Sequence, residues 1–559
     1  RYLSSETTCS HGHHQATHSS TLSVLHSVMT WQVTMVNIQQ TQVQERLVSM
    51  FQLNSNKILS MKKLLVYSAA CILALSSCDM DINDNPNYPS NGDVTPTLVF
   101  PSIENALADV AGDAMFTYGG FFAQYFEQRP ESNQYNDEAE LHFDEASSLF
   151  DRCYRTIYAG AMMDIKDVES KTNNKVDLFA CKVMTALGMQ YMVDACSDAP
   201  YTEMGQGNAN PTPKWDDGKT VYTSVLAAMD EAEAAIPEGT TTLSVTDPMF
   251  NGKLDAWKRF ANGLRLRMYM RLIDGGVDVD SYTAKAKALV AENLLPNKDC
   301  TFNVYSNAEG QWNPWYAAIR GLKTNNFCAA YPIVSYYSLT NDPRLSTTME
   351  ANEAGKYVGQ IPGAKTLYKE WTGKDWKNKD VSEIKYGAIA AMPISIMQLS
   401  EAEFLKAEVE LRFNHNADAA KVDYEKAIAA DFTSRGIADS NLATFLAGAK
   451  VNFANQATDA DKLKVIYMQK WASFFMRNHM EAWSEQRRTD VPALSSATAK
   501  EVFGGSTKYK AGDMINPGLN YYGNNNLCKR MPYPENARKY NKNTPAVKTL
   551  ADPVFWDVK

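Results

Sequence analysis

Signatures of nucleophilic, zinc and nucleotide chemistry are missing from this chain. Its 559 residues contain no G-x-S-x-G, no H-E-x-x-H and no P-loop. Basic residues are in deficit, 55 Lys and Arg against 64 Asp and Glu, which makes a poor surface for phosphate backbones. Histidine is scarce: five of the eight lie before residue 27, and His142, His415 and His479 stand far apart. None has zinc-ligand spacing, so no metal and no cofactor is expected. Nine cysteines include no C-x-x-C. The longest apolar run, residues 64–75, has 12 residues, short of the roughly 20 that a bilayer-crossing helix needs.

That short run is the most informative stretch present. Met61-Lys62-Lys63 precedes it and Leu75-Ser76-Ser77-Cys78 closes it. A basic start, an apolar centre and small residues before a cysteine form a bacterial lipoprotein signal over residues 61–77, with cleavage before Cys78 and lipid on its sulfur. A signal of this kind must emerge first, so residues 1–60 are expected to be spurious upstream translation. The cluster His11, His13, His14 and His18 in that segment is then no metal tract. From Cys78 onward 482 residues remain, with 50 basic and 62 acidic side chains, net −12. Residues 78–97 read as a lipidated flexible tether, rich in Asp, Asn, Pro and Gly. Six cysteines remain after it, and an even count does not by itself predict pairing.

Helical periodicity dominates residues 98–559, read as one domain. Trp257, Phe260, Ala261, Leu264 and Met268 share one face, with Lys258 and Arg265 opposite. Tyr222, Leu226, Met229 and Ile236 form another stripe, ended by Pro237. Ser400 and Glu403 read as a capping box before Phe404, and Leu463, Ile466, Trp471 and Phe474 mark a further helix. Helices are also expected over 144–169 and 176–193. Consecutive pairs at 144–193 and 400–430 point to a mainly α fold: a tetratricopeptide-like helix-turn-helix superhelix. Between about 295 and 395 the period fades into long, irregular, loop-rich insertions, the usual place for function.

Seven segments then occur in a recognisable order: FFAQYFEQRPESNQYN (121–136), DAPY (198–201), WKRFANGLRLRMYMR (257–271), NDPRL (341–345), SEAEFLKAEVELRF (400–413), QKWASFFMRNHMEAWSEQRRTDVP (469–492) and LCKRMPYPENARKYN (527–541). Together they make the chain from residue 78 onward resemble the SusD/RagB-like nutrient-binding outer-membrane lipoproteins of the starch-utilisation type. The resemblance implies a binding protein and not an enzyme. It implies a lipid-anchored position on the outer membrane, facing the cell exterior. It further implies capture of nutrient oligomers, most often glycans, and delivery to a TonB-dependent, SusC-like transporter as its lid. Peptide cargo, a secreted glycoside hydrolase and a pure helical-repeat scaffold stay open as alternatives.

Read physically, the segments' own residues look like scaffold. Trp257, Phe260, Leu264, Trp471 and Phe474 are core candidates. Asn262 is expected to satisfy backbone in a packed groove, and Asp342 and Arg344 to bond locally. Arg487 and Arg488 are expected to pair with Glu481, Glu485 and Asp490, and Glu401, Glu403, Glu408 and Glu410 to be solvated helix-face charges. Sugars want exposed rings for stacking and amides for their hydroxyls. Two loops offer these: Trp312, Trp315 and Tyr316, with Gln311 and Asn313 interleaved and Tyr336 and Tyr337 following, and Asn133, Gln134 and Tyr135 near the start. The expected ligand-binding residues are Trp312, Trp315, Tyr316, Asn133 and Tyr135. Exposed Trp312 and Trp315 would favour capture; buried ones would weaken it.

Overall fold

A proline opens the first helix. Pro96 stands at its first turn, where the missing N–H costs nothing, and α1 (Pro96–Asp109) runs through a π-helical turn at Val110–Ala114 into α2 (Met115–Phe122). The computed structural model describes residues 94–559 except 145, 322–324, 387–388 and 524–525. The upstream segment, the leader, Cys78 and most of the tether therefore lie outside the described residues. Pro96 and Thr97, expected in the tether, already belong to α1.

The expected helix over 144–169 begins late, at Asp151. Before it, Asp144 Oδ1 accepts from Ala146 N and Ser147 Oγ from Leu149 N. Asp and Ser side chains that bind nearby N–H groups compete with the helix in this way. Next comes α3 (Lys175–Cys196), capped by Asn174 and buried on almost every side, as suits the central helix of a bundle. Then follow α4 (Gly218–Ala234), whose Tyr222, Leu226 and Met229 are buried, α5 (Leu254–Asp274) and α6 (Val279–Ala291). The second half adds α7 (Tyr331–Leu339), α8 (Leu399–Arg412), α9 (Ala417–Ser434), α10 (Asp459–Phe474) and α11 (His479–Thr489). Successive helices pack as pairs, α3 on α4, α5 on α6 and α8 on α9. The fold is mainly helical, as expected, and residues 91–559 form one compact unit.

The irregular region is stitched by two short antiparallel ribbons. β1 (Phe126–Gln128) pairs with β3 (Phe327–Ala329), and β2 (Cys300–Phe302) with β4 (Ile394–Met397). The capping box expected at Ser400 does not form. Asp299, just before β2, accepts from Leu399 N at 2.7 Å, which starts α8 earlier and leaves the Ser400 hydroxyl buried without a partner.

A buried ionic spine joins the helices. Arg267 pairs with Glu401 at 2.6 Å, and Arg271 with Asp194 at 2.7 Å and Glu481 at 2.6 Å. Arg488 meets Asp274, Glu408 and Glu485 at 2.5–2.8 Å, and Lys470 pairs with Glu485 as well. Glu401 and Glu408 are thus buried, contrary to the solvated role expected of them. Seven residues apart on α8, they share the face that meets these cations. Arg265 is also buried, held by Asp230 and Glu233. Arg487 departs from expectation differently: it donates to the carbonyls of Asp194 and Lys529 and lies 3.5 Å over the Trp483 ring. Arg344 bonds Asp342 locally, as expected, and reaches Asp431 at 3.0 Å. Asn262 donates to the Leu294 carbonyl. All six cysteines of the described residues are buried and free.

Candidate ligand-binding surface

Trp315 lies in the core, which weakens its expected role as a ligand platform. Its side chain is 1 % exposed; Nε1 donates to Thr117 Oγ1 at 3.2 Å, and the ring stacks on Phe126. The cause is local. Asn313 accepts from the N–H groups of Trp315 and Tyr316 and donates to the Met392 carbonyl at 2.9 Å, which turns residue 315 inward. Asn313 is therefore a buried clamp. Tyr336 and Tyr337 are also core residues, on α7, their hydroxyls engaged by Gln469 and the Ala472 carbonyl. From this cluster Trp312 and Tyr316 remain half-buried, crossed edge to face at 5.4 Å. Trp312 Nε1 donates to the Asn307 carbonyl.

The other expected loop follows β1. Asn133 is exposed and accepts from Lys365 Nζ at 2.6 Å. Gln134 accepts from Asn326 at 2.8 Å. Tyr135 is half-buried, its ring stacked 5.0 Å from Phe327. Trp315 also packs on Phe327, at 5.4 Å. The two candidate segments, far apart in sequence, thus meet on one core ring.

A polar groove of about 550 Å³ adjoins the loop, lined among others by Arg129, Glu131, Glu350, Asn352, Glu353 and Asn378. Glu131 and Asn378 exchange backbone-to-side-chain bonds at 3.1 Å. The Asn378 N–H, with Lys377 beside it, holds the Glu131 carboxyl below its usual range. Arg129 pairs with Glu383, which also accepts from Asn325, and Asn325 accepts from the Tyr386 hydroxyl at 2.8 Å. Paired charges and amides of this kind suit a neutral, hydroxyl-rich ligand.

One platform escaped the sequence reading. Tyr521 is 59 % exposed and lies parallel to His142, ring centres 3.6 Å apart. His142 Nδ1 is 3.3 Å from Asp137 Oδ1. Phe143, Asp144, Ser147 and Tyr522 complete an open cavity of about 560 Å³. The signal was present as NYYGNNN (520–526), aromatic and amide residues outside any helical stripe. Among the described residues no cluster of His, Cys, Asp and Glu could hold a metal ion, and no helix is long and apolar enough to cross a membrane.

The sequence profile of a family described as SusD-like, "Starch-binding associating with outer membrane", matches residues 86–506. The chain belongs to this SusD-like family. Similar solved structures share its fold. A SusD homologue from Bacteroides fragilis has 17 % identity and a TM-score of 0.65, over 83 % of this chain and 99 % of that one. Another from Bacteroides thetaiotaomicron has 21 % identity and a TM-score of 0.62, over 83 % and 100 %. A structure named as a chitin-binding protein has 19 % identity and a TM-score of 0.62, over 83 % and 100 %. No curated protein matches. As a SusD-like protein it is accordingly a binding protein and not an enzyme, of a family described as starch-binding and associated with the outer membrane.

Proposed function

We propose that this SusD-like protein is a surface lipoprotein, anchored through Cys78, that captures glycans and passes them to a TonB-dependent, SusC-like transporter over which it closes. The family's description supports carbohydrate as the cargo. The observation that carries the reading in this chain is Tyr521: an exposed ring stacked on His142, with Asp137 and Asp144 beside it. Sugar C–H faces stack on such rings while carboxylates accept from their hydroxyls. Trp312, Tyr316, Asn133 and Tyr135 remain as further contact residues, together with the groove next to Arg129 and Glu131. A bound lipoprotein carries more than one acyl chain, enough for stable anchoring.

Affinity electrophoresis of the detergent-solubilised protein through a panel of polysaccharides tests the reading. Retardation by one glycan, lost in Tyr521→Ala or Trp312→Ala, is the expected result. Migration unaffected by every glycan would sink glycan capture and favour peptide cargo.

A further inference from the structure

A separate pocket of about 350 Å³ lies between the β2–β4 ribbon and the corner joining α10 to α11. Its wall carries three cations, Lys385, Arg435 and Arg477, and one carboxylate, Asp299. Asp299 Oδ1 accepts the first N–H of α8, and its negative charge still acts on Arg477. Arg435 has a partner in Asp431 at 2.8 Å, but Asp431 is shared with Arg344. Lys385 Nζ donates to the Ser346 carbonyl at 2.5 Å. Arg477 donates only to neutral atoms, the carbonyls of Met476 (3.1 Å) and Ser434 (3.2 Å) and the sulfur of Met392. No carboxylate pairs with it among the described residues. Burial first, and then the neighbouring Arg435, pull its pKa down to about 10 against the opposing pull of Asp431 and Asp299. Ser395 also lines the pocket, though its hydroxyl is itself buried.

The wall thus carries three cations against the single carboxylate of Asp299, and a half-buried guanidinium held only by neutral acceptors is a ready partner for an anion. Met392, Pro393 and Met476 supply an apolar wall against which C–H groups can pack. The volume sits at the low end of small-molecule sites, enough for one sugar-sized group. We propose that this pocket takes the carboxylate of a hexuronic acid, with Arg477 and Lys385 as its charge partners, either as the free acid or as the end unit of an acidic oligosaccharide. The pocket shares no residue with the Tyr521 platform or the Arg129 groove, so the proposal stands apart from neutral-glycan capture.

The test is calorimetric titration of the solubilised protein with D-glucuronate, D-glucose and trigalacturonate. Glucuronate should bind at least tenfold more tightly than glucose and weaken as salt rises. Arg477→Gln should weaken it at least fivefold. Arg477 and Lys385 both hold backbone carbonyls, so the melting temperature is read for each variant; Lys385→Gln, which gives up a single exposed carbonyl contact, is expected to weaken binding at least threefold with a melting temperature lowered less than by Arg477→Gln. Trigalacturonate binding more tightly than glucuronate upholds the proposal with a chain end as the source, and weaker binding upholds it with the free acid. Equal weak binding of glucuronate and glucose, or glucuronate affinity untouched by Lys385→Gln, overturns it.

Discussion

Tryptophan at 315 and tyrosine at 521 carry opposite consequences although both sit in aromatic, amide-rich stretches. Trp315→Ala would empty a packed site bounded by Phe116, Phe126 and Phe327, and should cost about 3–5 kcal/mol of stability. Urea unfolding should show this as a lower midpoint. Tyr521→Ala removes a ring more than half exposed, so stability should change by less than about 1 kcal/mol while glycan retardation disappears. Swapped results would exchange the roles assigned to these two residues. His479 has its own signature. Its Nδ1 bonds the Phe116 carbonyl, its Nε2 accepts from Met476 N, and burial lowers its pKa to about 3. The unfolded chain, with a pKa near 6.5, binds the proton first. Stability should therefore be unaffected by this group above about pH 6.5. Below that it should fall by about 1.4 kcal/mol per pH unit, until the folded pKa near 3 is reached. His479→Gln should show a shallower loss between pH 6 and 4 in urea titrations, since other acid-sensitive groups remain common to both proteins.

The helices depend on one another through charge as much as through apolar contact. Glu408 on α8 binds Arg488 of α11 at 2.7 Å and Arg412 at 2.7 Å, with Lys470 of α10 nearby at 3.6 Å. Burial pushes its carboxyl up, but Arg488, and then Lys470 and Arg412, outweigh this and hold it far below the usual range. Breaking one partner of a buried pair strands the others, at roughly 3–5 kcal/mol. Glu408→Ala should thus lower the melting temperature far more than Glu410→Ala, which removes a half-buried acid bonded to Asn414. Equal shifts, read by circular dichroism, would show that α8 is held by apolar packing alone. The periodic pattern made α8 legible as a helix, and the pairs 400–430 legible as a hairpin. It did not reveal the cap, because the acceptor for Leu399 is Asp299, a hundred residues away. Nor did it reveal that Glu401 and Glu408 face inward. Charged residues on a helix normally mark the solvent face, and only the convergence of Arg267, Arg488 and Lys470 reverses this.

For the whole molecule, attachment and capture separate cleanly. If Cys78 carries the lipid, Cys78→Ala should move the protein from the membrane fraction to the soluble fraction, with glycan affinity measured in solution unchanged. Retention in the membrane after this substitution would place the anchor elsewhere. The order of segments from FFAQYFEQRPESNQYN to LCKRMPYPENARKYN, the helical periods and the Leu-Ser-Ser-Cys ending were all readable from the chain. Family and helical class followed because they rest on local spacing and on residue order, both properties of one dimension. The position of a binding surface is a property of three. Whether Trp315 faces ligand or core depends on Asn313 reaching Met392; whether Tyr521 forms a platform depends on His142, 379 positions earlier, lying flat against it. Exposure is set by what packs on a side chain, and those partners come from distant segments, so only the tertiary structure could decide it.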